Sequence, residues 1–298
     1  MSTDVVREGG RVRVGAPAKL NLALLVGPVR PDGFHEIASL MLPVSLADLV
    51  TVELTPDSGL EVVCGVAPGL DNLAARMVRE LERRLDRAFP VRVTIEKRVP
   101  AGAGLGGGSS DAAATLVALE RLFGLELPPR LRYEAAAAVG SDVPFFLWPG
   151  PQLAMGRGQV LKDVALPALH IVVAMPDIAL STAAVYRWRD EDVEVTLREF
   201  SPRARLLSAR ARAAATVEDV AALVTNDLEA SVTARTPEVG GLVERLRRAG
   251  ALAAAMTGSG AACFGVFASE AAALTAREAV APVRAWYVTD LQPAAAGA

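Results

Sequence analysis

Pro100-Ala101-Gly102-Ala103-Gly104-Leu105-Gly106-Gly107-Gly108-Ser109-Ser110-Asp111-Ala112-Ala113-Ala114 lies between the alternating segment Val91-Arg92-Val93-Thr94-Ile95 and a stretch with the apolar spacing of a helix. Strand, glycine-rich loop and helix in that order read as a cradle for phosphate. Glycine lets the backbone approach a ligand closely, and the N–H groups at a helix start carry the positive end of its dipole. Ser109 or Ser110 is expected to cap the helix, with Asp111 in its first turn.

Known phosphate loops differ in detail. A Walker loop ends in Gly-Lys-Ser/Thr, whereas Gly108 runs into Ser109 without a lysine. Residues 102–107 satisfy G-x-G-x-x-G, but a dinucleotide fingerprint opens the first βαβ unit directly at a strand end. Here Glu96-Lys97-Arg98-Val99 intervenes, a third of the way along the chain. A protein-kinase loop would be followed by His-Arg-Asp and Asp-Phe-Gly, and neither occurs. A flexible Gly/Ser linker has no reason to be framed by a strand and a capped helix.

A chain of 298 residues most naturally forms two domains, and the reading divides it into 1–160 and 161–298. A net charge of −3 and a pI near 5.6 argue against nucleic-acid binding, which needs a basic face, and favour a small-molecule substrate. Two cysteines, Cys64 and Cys263, make no disulfide framework or zinc site and suit the cytoplasm. The N-terminal residues lack the order of a signal peptide, and no apolar run would span a bilayer, so no membrane association is expected. Only two histidines, His35 and His170, are present, which argues against a histidine-based triad or a multi-histidine metal site.

Period-two alternation marks strands at 11–14 and 49–54. Asp71-Asn72 can cap a helix carrying Leu73, Met77, Leu81 and Leu85 on one stripe, and the helix after the glycine loop runs to Gly124. Pro149-Gly150-Pro151 interrupts the pattern. Beyond it the order is strand, helices, two short strands at 252–256 and 262–267, a helix and a strand at 285–288. The arginines of 203–212 fit an exposed helix face, and the Pro/Ala-rich last six residues are expected to be unstructured.

Three further segments carry chemistry. Pro17-Ala18-Lys19-Leu20-Asn21 puts a lysine and an asparagine on one extended face, Gly140-Ser141-Asp142-Val143-Pro144 puts a carboxylate in a turn, and Thr257-Gly258-Ser259-Gly260 forms a second small-residue loop. Taken singly they read as a surface lysine, a turn residue and a hairpin. Beside a phosphate loop they supply what phosphoryl transfer needs: positioning, a charge clamp, and a group that orients or deprotonates the attacking hydroxyl.

In these segments the chain resembles the small-molecule kinases called GHMP kinases, whose three motifs match residues 17–21, 100–114 and 256–261 in order and spacing. The resemblance runs over almost the full length. Arg30-Pro31-Asp32-Gly33-Phe34-His35, Asp71-Asn72-Leu73 and residues 140–145 are similar to one branch, which phosphorylates a hydroxyl on a cytidine-diphosphate-linked sugar alcohol of isoprenoid synthesis.

The resemblance implies an α+β fold in two domains: an N-terminal α/β domain like ribosomal protein S5 and a ferredoxin-like C-terminal domain, with a cleft between. It implies ATP as co-substrate with Mg²⁺, Lys19 and Asp142 as the catalytic pair, residues 100–110 around the ATP phosphates, and Asn72 and Lys97 near its nucleoside. Asn21, Phe34, His35, Thr182 and Tyr186 would meet the acceptor, with His35 reading the base edge and Phe34 and Tyr186 stacking on it. Phe34 stands where the family usually has tyrosine, which keeps a stacking face and removes a hydroxyl. Mg²⁺ keeps several waters and is held largely by phosphates, leaving Ser110 as the candidate protein ligand. The alternatives are a homoserine- or mevalonate-type kinase and, from another class, a nucleic-acid-binding domain.

Overall fold

Two long strands organise the molecule. In the computed structural model, which describes residues 5–56, 59–66 and 69–291, a short β1 (Val6–Glu8) leads into β2 (Arg11–Val29) and β3 (His35–Leu54), an antiparallel pair running through both halves of the protein. The strands read from the sequence at 11–14 and 49–54 are only the outer ends of this pair, where one face meets solvent. Deeper in, nearly every residue is buried and alternation disappears. Register shifts at Pro17/Ala18, Asn21/Ala23 and Val26/Val29 bend the ribbon.

After β4 (Glu61–Cys64), helix α1 (Leu73–Leu85) starts at Asn72, whose side chain accepts from Ala74 N at 2.9 Å. Strand β5 (Val91–Glu96) then feeds the glycine loop and α2 (Gly107–Phe123), followed by α3 (Pro129–Val139) and a one-turn 3-10 helix, Pro144–Leu147. The large sheet runs β1-β2-β3-β5-β4, and α1, α2 and α3 share a core with its strands. Among the strands that no sequence pattern marked, β6 (Gln152–Gly156) and β7 (Val160–Asp163) extend this sheet beside β3. They are short and follow the Pro/Gly break. Strand β7 straddles the boundary expected at residue 160.

The second sheet begins with β8 (His170–Met175). Helices α4 (Thr182–Asp192), α5 (Leu197–Ala213) and α6 (Val217–Ala221) follow, then the two-residue β9 (Thr225–Asn226), which returns to the large sheet parallel to β2. Helices α7 (Glu229–Arg235) and α8 (Pro237–Arg248), strands β10 (Ala253–Met256) and β11 (Cys263–Phe267), helix α9 (Glu270–Ala279) and strand β12 (Arg284–Thr289) complete the chain. The order β10-β11-β8-β12, antiparallel throughout, is that of a ferredoxin-like split βαβ sheet. One core lies between this sheet, α5 and the middle of β2 and β3; another lies between the sheet and α7, α8 and α9. The C-terminal residues expected to be unstructured lie outside the described residues.

The start of α2 departs from expectation. Its N-cap is Gly106 in the left-handed region, with no side-chain cap; Ser109 and Ser110 lie inside the first turns, and Asp111 is the fifth helical residue. Two glycines, Gly107 and Gly108, wind the first turn, so no hydroxyl covers its N–H groups and they remain available to a ligand.

Candidate active site

A cleft of about 1180 Å³ gathers Lys19, Asn21, Phe34, His35, Asn72, Lys97, residues 100–109, Asp142, Thr182 and Tyr186. Of the residues expected to bind ATP, metal or acceptor, Ser110 does not line it; its hydroxyl is buried in α2 with no hydrogen-bond partner among the described residues. The volume exceeds the roughly 300–1,000 Å³ usual for one ligand and suits two substrates.

At one end the glycine loop is pinned from below. Ala103 and Leu105 are buried, and burying a leucine contributes roughly 1.5–3 kcal/mol. Lys19 N donates to Leu105 O at 2.9 Å, and Ala262 N donates to Ala103 O at 3.3 Å, so the loop is tied both to β2 and to the end of the 257–260 loop. Gly104, at φ +75°, lies so close to that loop that a Cβ would stand 2.6 Å from Thr257 O. Gly106, at φ +71°, abuts Phe146 and the stem of Lys19.

The chain enters the loop through a charged clamp. Asp48 is buried on β3; its carboxylate accepts from Arg98 N at 2.5 Å, Val99 N at 2.8 Å and Lys97 Nζ at 2.5 Å. Lys97 Nζ also donates to Asp111 at 2.8 Å. Burial, opposed by Lys97 and reinforced by Asp48, pushes the Asp111 carboxyl up to about 7. The Lys97 value is raised: burial acts against its charge, but the two carboxylates outweigh it. Nothing in the alternation of β3 marks Asp48, because a buried aspartate has no sequence signature until its lysine is placed beside it.

Lys19 and Asp142 meet at the centre. Lys19 Nζ donates to Asn21 Oδ1 at 2.5 Å and stands 3.8 Å from Asp142 Oδ2. The Lys19 side chain is 6% exposed and that of Asp142 is 40% exposed, so the carboxylate faces the open cleft and the ammonium backs it. Burial lowers the lysine's ordinary value, and Asp142 acts in the opposite direction. Thr257 Oγ1 accepts from Asn21 N at 2.9 Å, which links the first and third motifs.

The other end is built of side chains. The His35 and Tyr186 rings lie 5.1 Å apart at 32°. His35 Nδ1 faces Gly27 O at 3.0 Å and Nε2 faces Asp190 at 3.1 Å. Tyr186 and Asp190 are four residues apart on α4 and share a face. Burial, with a smaller push from Asp142, raises the Tyr186 phenol to about 12, so it stays a donor. Phe34 is 49% exposed, with the Arg157 guanidinium 5.1 Å from its ring centre. Thr182 joins Ser259 through their hydroxyls at 2.8 Å.

Behind the 257–260 loop, buried Asn226 donates to Met256 O at 2.7 Å and Gly258 O at 2.9 Å, and Glu229 accepts from Met256 N at 2.6 Å. No sequence pattern marks Asp190, Asn226 or Glu229, whose positions follow only from the tertiary fold. Among the described residues, no helix is long and apolar enough to cross a membrane.

Two family models match the chain: GHMP kinases N terminal domain over residues 72–150 and GHMP kinases C terminal over 211–283. A 4-diphosphocytidyl-2-C-methyl-D-erythritol kinase of Anaeromyxobacter dehalogenans is 44% identical over 89% of this chain and 83% of its own. A crystal structure of 4-(cytidine 5'-diphospho)-2C-methyl-D-erythritol kinase superposes with TM-score 0.78 at 38% identity, covering 94% of this chain and all of that one. Homoserine kinase from Cytophaga hutchinsonii superposes almost as well, at 0.76 over 96% of this chain and 97% of that one, but at 16% identity it shares the fold alone. Identity over nearly the whole length separates what the fold cannot: the chain belongs to the GHMP kinases and, within them, to the 4-diphosphocytidyl-2-C-methyl-D-erythritol kinase family.

Proposed function

We propose that the protein transfers the γ-phosphoryl group of ATP to the 2-hydroxyl of 4-diphosphocytidyl-2-C-methyl-D-erythritol, releasing ADP and the 2-phosphate. The observation that carries this reading is the Lys19–Asp142 pair at 3.8 Å, which stands between the glycine loop and the His35–Tyr186 end of one cleft. Asp142 orients the acceptor hydroxyl and takes its proton as the new O–P bond forms and the bond to the ADP oxygen breaks. Lys19 offsets the negative charge that develops on the attacking oxygen. The loop N–H groups and the open start of α2 cradle the phosphates, with Asn72 and Lys97 toward the nucleoside. His35, Phe34 and Tyr186 receive the cytosine, and Asn21 and Thr182 flank the sugar alcohol.

Mg²⁺ supplies charge neutralisation on the phosphates when bound. Ser110 is the candidate ligand from this chain: its hydroxyl has no hydrogen-bond partner among the described residues, but it is buried in α2 and does not line the cleft, so it would hold the ion only with its side chain turned toward the phosphates. Among the described residues there is no cluster of three or more histidine, cysteine or carboxylate side chains that could hold a metal ion. Two free, buried cysteines suit a cytoplasmic setting.

The test is ADP release from ATP and Mg²⁺ with the cytidyl substrate, homoserine and mevalonate offered in parallel. Turnover of the cytidyl substrate alone is expected; turnover of homoserine or mevalonate in its place would sink the reading.

A further inference from the structure

Asn21 is linked to Lys19 on one side and to Ser39 on the other, and chemistry fixes the direction of every bond in that chain. Ser39, on β3, is fully buried, and its Oγ lies 2.7 Å from Ala23 O and 2.7 Å from Asn21 Nδ2. A carbonyl oxygen can only accept, so the single hydroxyl proton goes to Ala23. Ser39 Oγ therefore accepts from the Asn21 amide. That leaves Asn21 Oδ1 toward Lys19 Nζ, a group that can only donate, at 2.5 Å. The opposite amide orientation would set two donors against each other at Lys19 and two acceptors against each other at Ser39.

We propose that Ser39 is a positioning residue for phosphoryl transfer: it locks the Asn21 amide with its oxygen toward Lys19, and so holds the ammonium in place 3.8 Å from Asp142. The relay lies at the register shift between Asn21 and Ala23, and Thr257 fixes the Asn21 backbone from the other side. Ser39 itself is fully buried and does not line the cleft. In the sequence it is one serine inside an apolar strand, where a hydroxyl reads as a tolerated core residue.

The proposal rests on the kinase reading, so its test has one arm that needs no turnover. Ser39→Ala should lower kcat roughly 10- to 100-fold, the scale of losing a charge-directed hydrogen bond and displacing a reacting group, while KM for ATP stays within about threefold. Ser39→Thr keeps the hydroxyl and suits a strand, and should recover kcat to within about threefold of the parent. In the free protein, the Asn21 side-chain amide protons should exchange slowly in the parent and in Ser39→Thr, and fast in Ser39→Ala. If Ser39→Ala does not fold, Ser39→Cys, a poor donor of similar size, takes its place with the same expectation. Parental kcat in Ser39→Ala, or equal damage from Thr and Ala, would overturn the relay. So would unchanged amide exchange. If the parent fails to turn over the cytidyl substrate, the kinase reading falls and the exchange measurement still decides the relay.

Discussion

The two ends of the cleft are made of different material. The loop end presents backbone: buried Ala103 and Leu105 alternate with Gly102, Gly104 and Gly106, over a helix start that no side chain caps. The His35 end presents side chains from elements far apart in sequence, His35 from β3 and Tyr186 and Asp190 from α4. Backbone recognition suits a triphosphate, whose charge is the same in every nucleotide; side-chain recognition suits a base, which must be told from other bases. Lys19 and Asp142 belong to neither end and stand where the two meet.

The largest effect is expected at that junction. Asp142→Asn keeps size and polarity and removes the proton acceptor, so kcat should fall by roughly 10²–10⁴. Affinity for each substrate, read by calorimetry, should stay within about threefold of the parent. If affinity for one substrate collapses with kcat, Asp142 belongs to that end of the cleft and the division proposed here is wrong.

Next comes the loop. Gly104→Val puts a β-branched residue at φ +75°, with its Cβ at 2.6 Å from a backbone oxygen of the neighbouring loop. Both the strain and the clash act on the same segment, and ATP affinity should weaken roughly 10- to 100-fold. Acceptor affinity should barely change. Unchanged ATP affinity would show that the loop does not approach the phosphates.

The same contrast decides what could be read from the sequence. A backbone-built site must be written in glycines, so the loop, its framing strand and the helix behind it are all legible from residues 91–124. The long β2–β3 ribbon is legible only at its ends, because its middle is buried on both faces and loses the period of a half-exposed strand. Lys19, Asn21 and Asp142 could be picked out only as a set, beside the loop. The supports behind them, Ser39, Asp48 and Asn226, could not, since each is a single polar residue whose meaning comes from a partner 18 to 50 positions away. The expected serine cap on α2 failed for a related reason: propensity favours a hydroxyl at a helix start, but a site that binds anions does better with its N–H groups uncovered.

At the His35 end, Tyr186→Ala removes the ring that lies beside His35. Base stacking on an aromatic ring is worth roughly 1–3 kcal/mol, so KM for the acceptor should rise about tenfold while KM for ATP holds. A rise in KM for ATP with the acceptor unaffected would mean that the two ends have been assigned the wrong way round.

The smallest effect on turnover is expected beneath the loop, where Asp48 and Asp111 share one lysine. One ammonium cannot neutralise two buried carboxylates, and Asp111 accordingly holds its proton up to about 7, against the usual 3.8. The folded protein therefore binds more protons than the unfolded chain between those two values, and this group's contribution to stability falls as pH rises through that window. Asp111→Asn imitates the protonated acid in shape and removes the titration. Turnover should stay within about threefold of the parent, because Lys97 keeps Asp48 and the loop keeps its ties to Lys19 and Ala262. The signature lies in Tm against pH: between pH 4 and pH 7 the parent should lose stability relative to Asp111→Asn, and above pH 7 the gap should level off. Parallel curves across the whole range would mean that Asp111 is ionised throughout and that Lys97 suffices for both acids. In that case the clamp under the loop is an ordinary ion pair, and the backbone-built end carries no proton of its own.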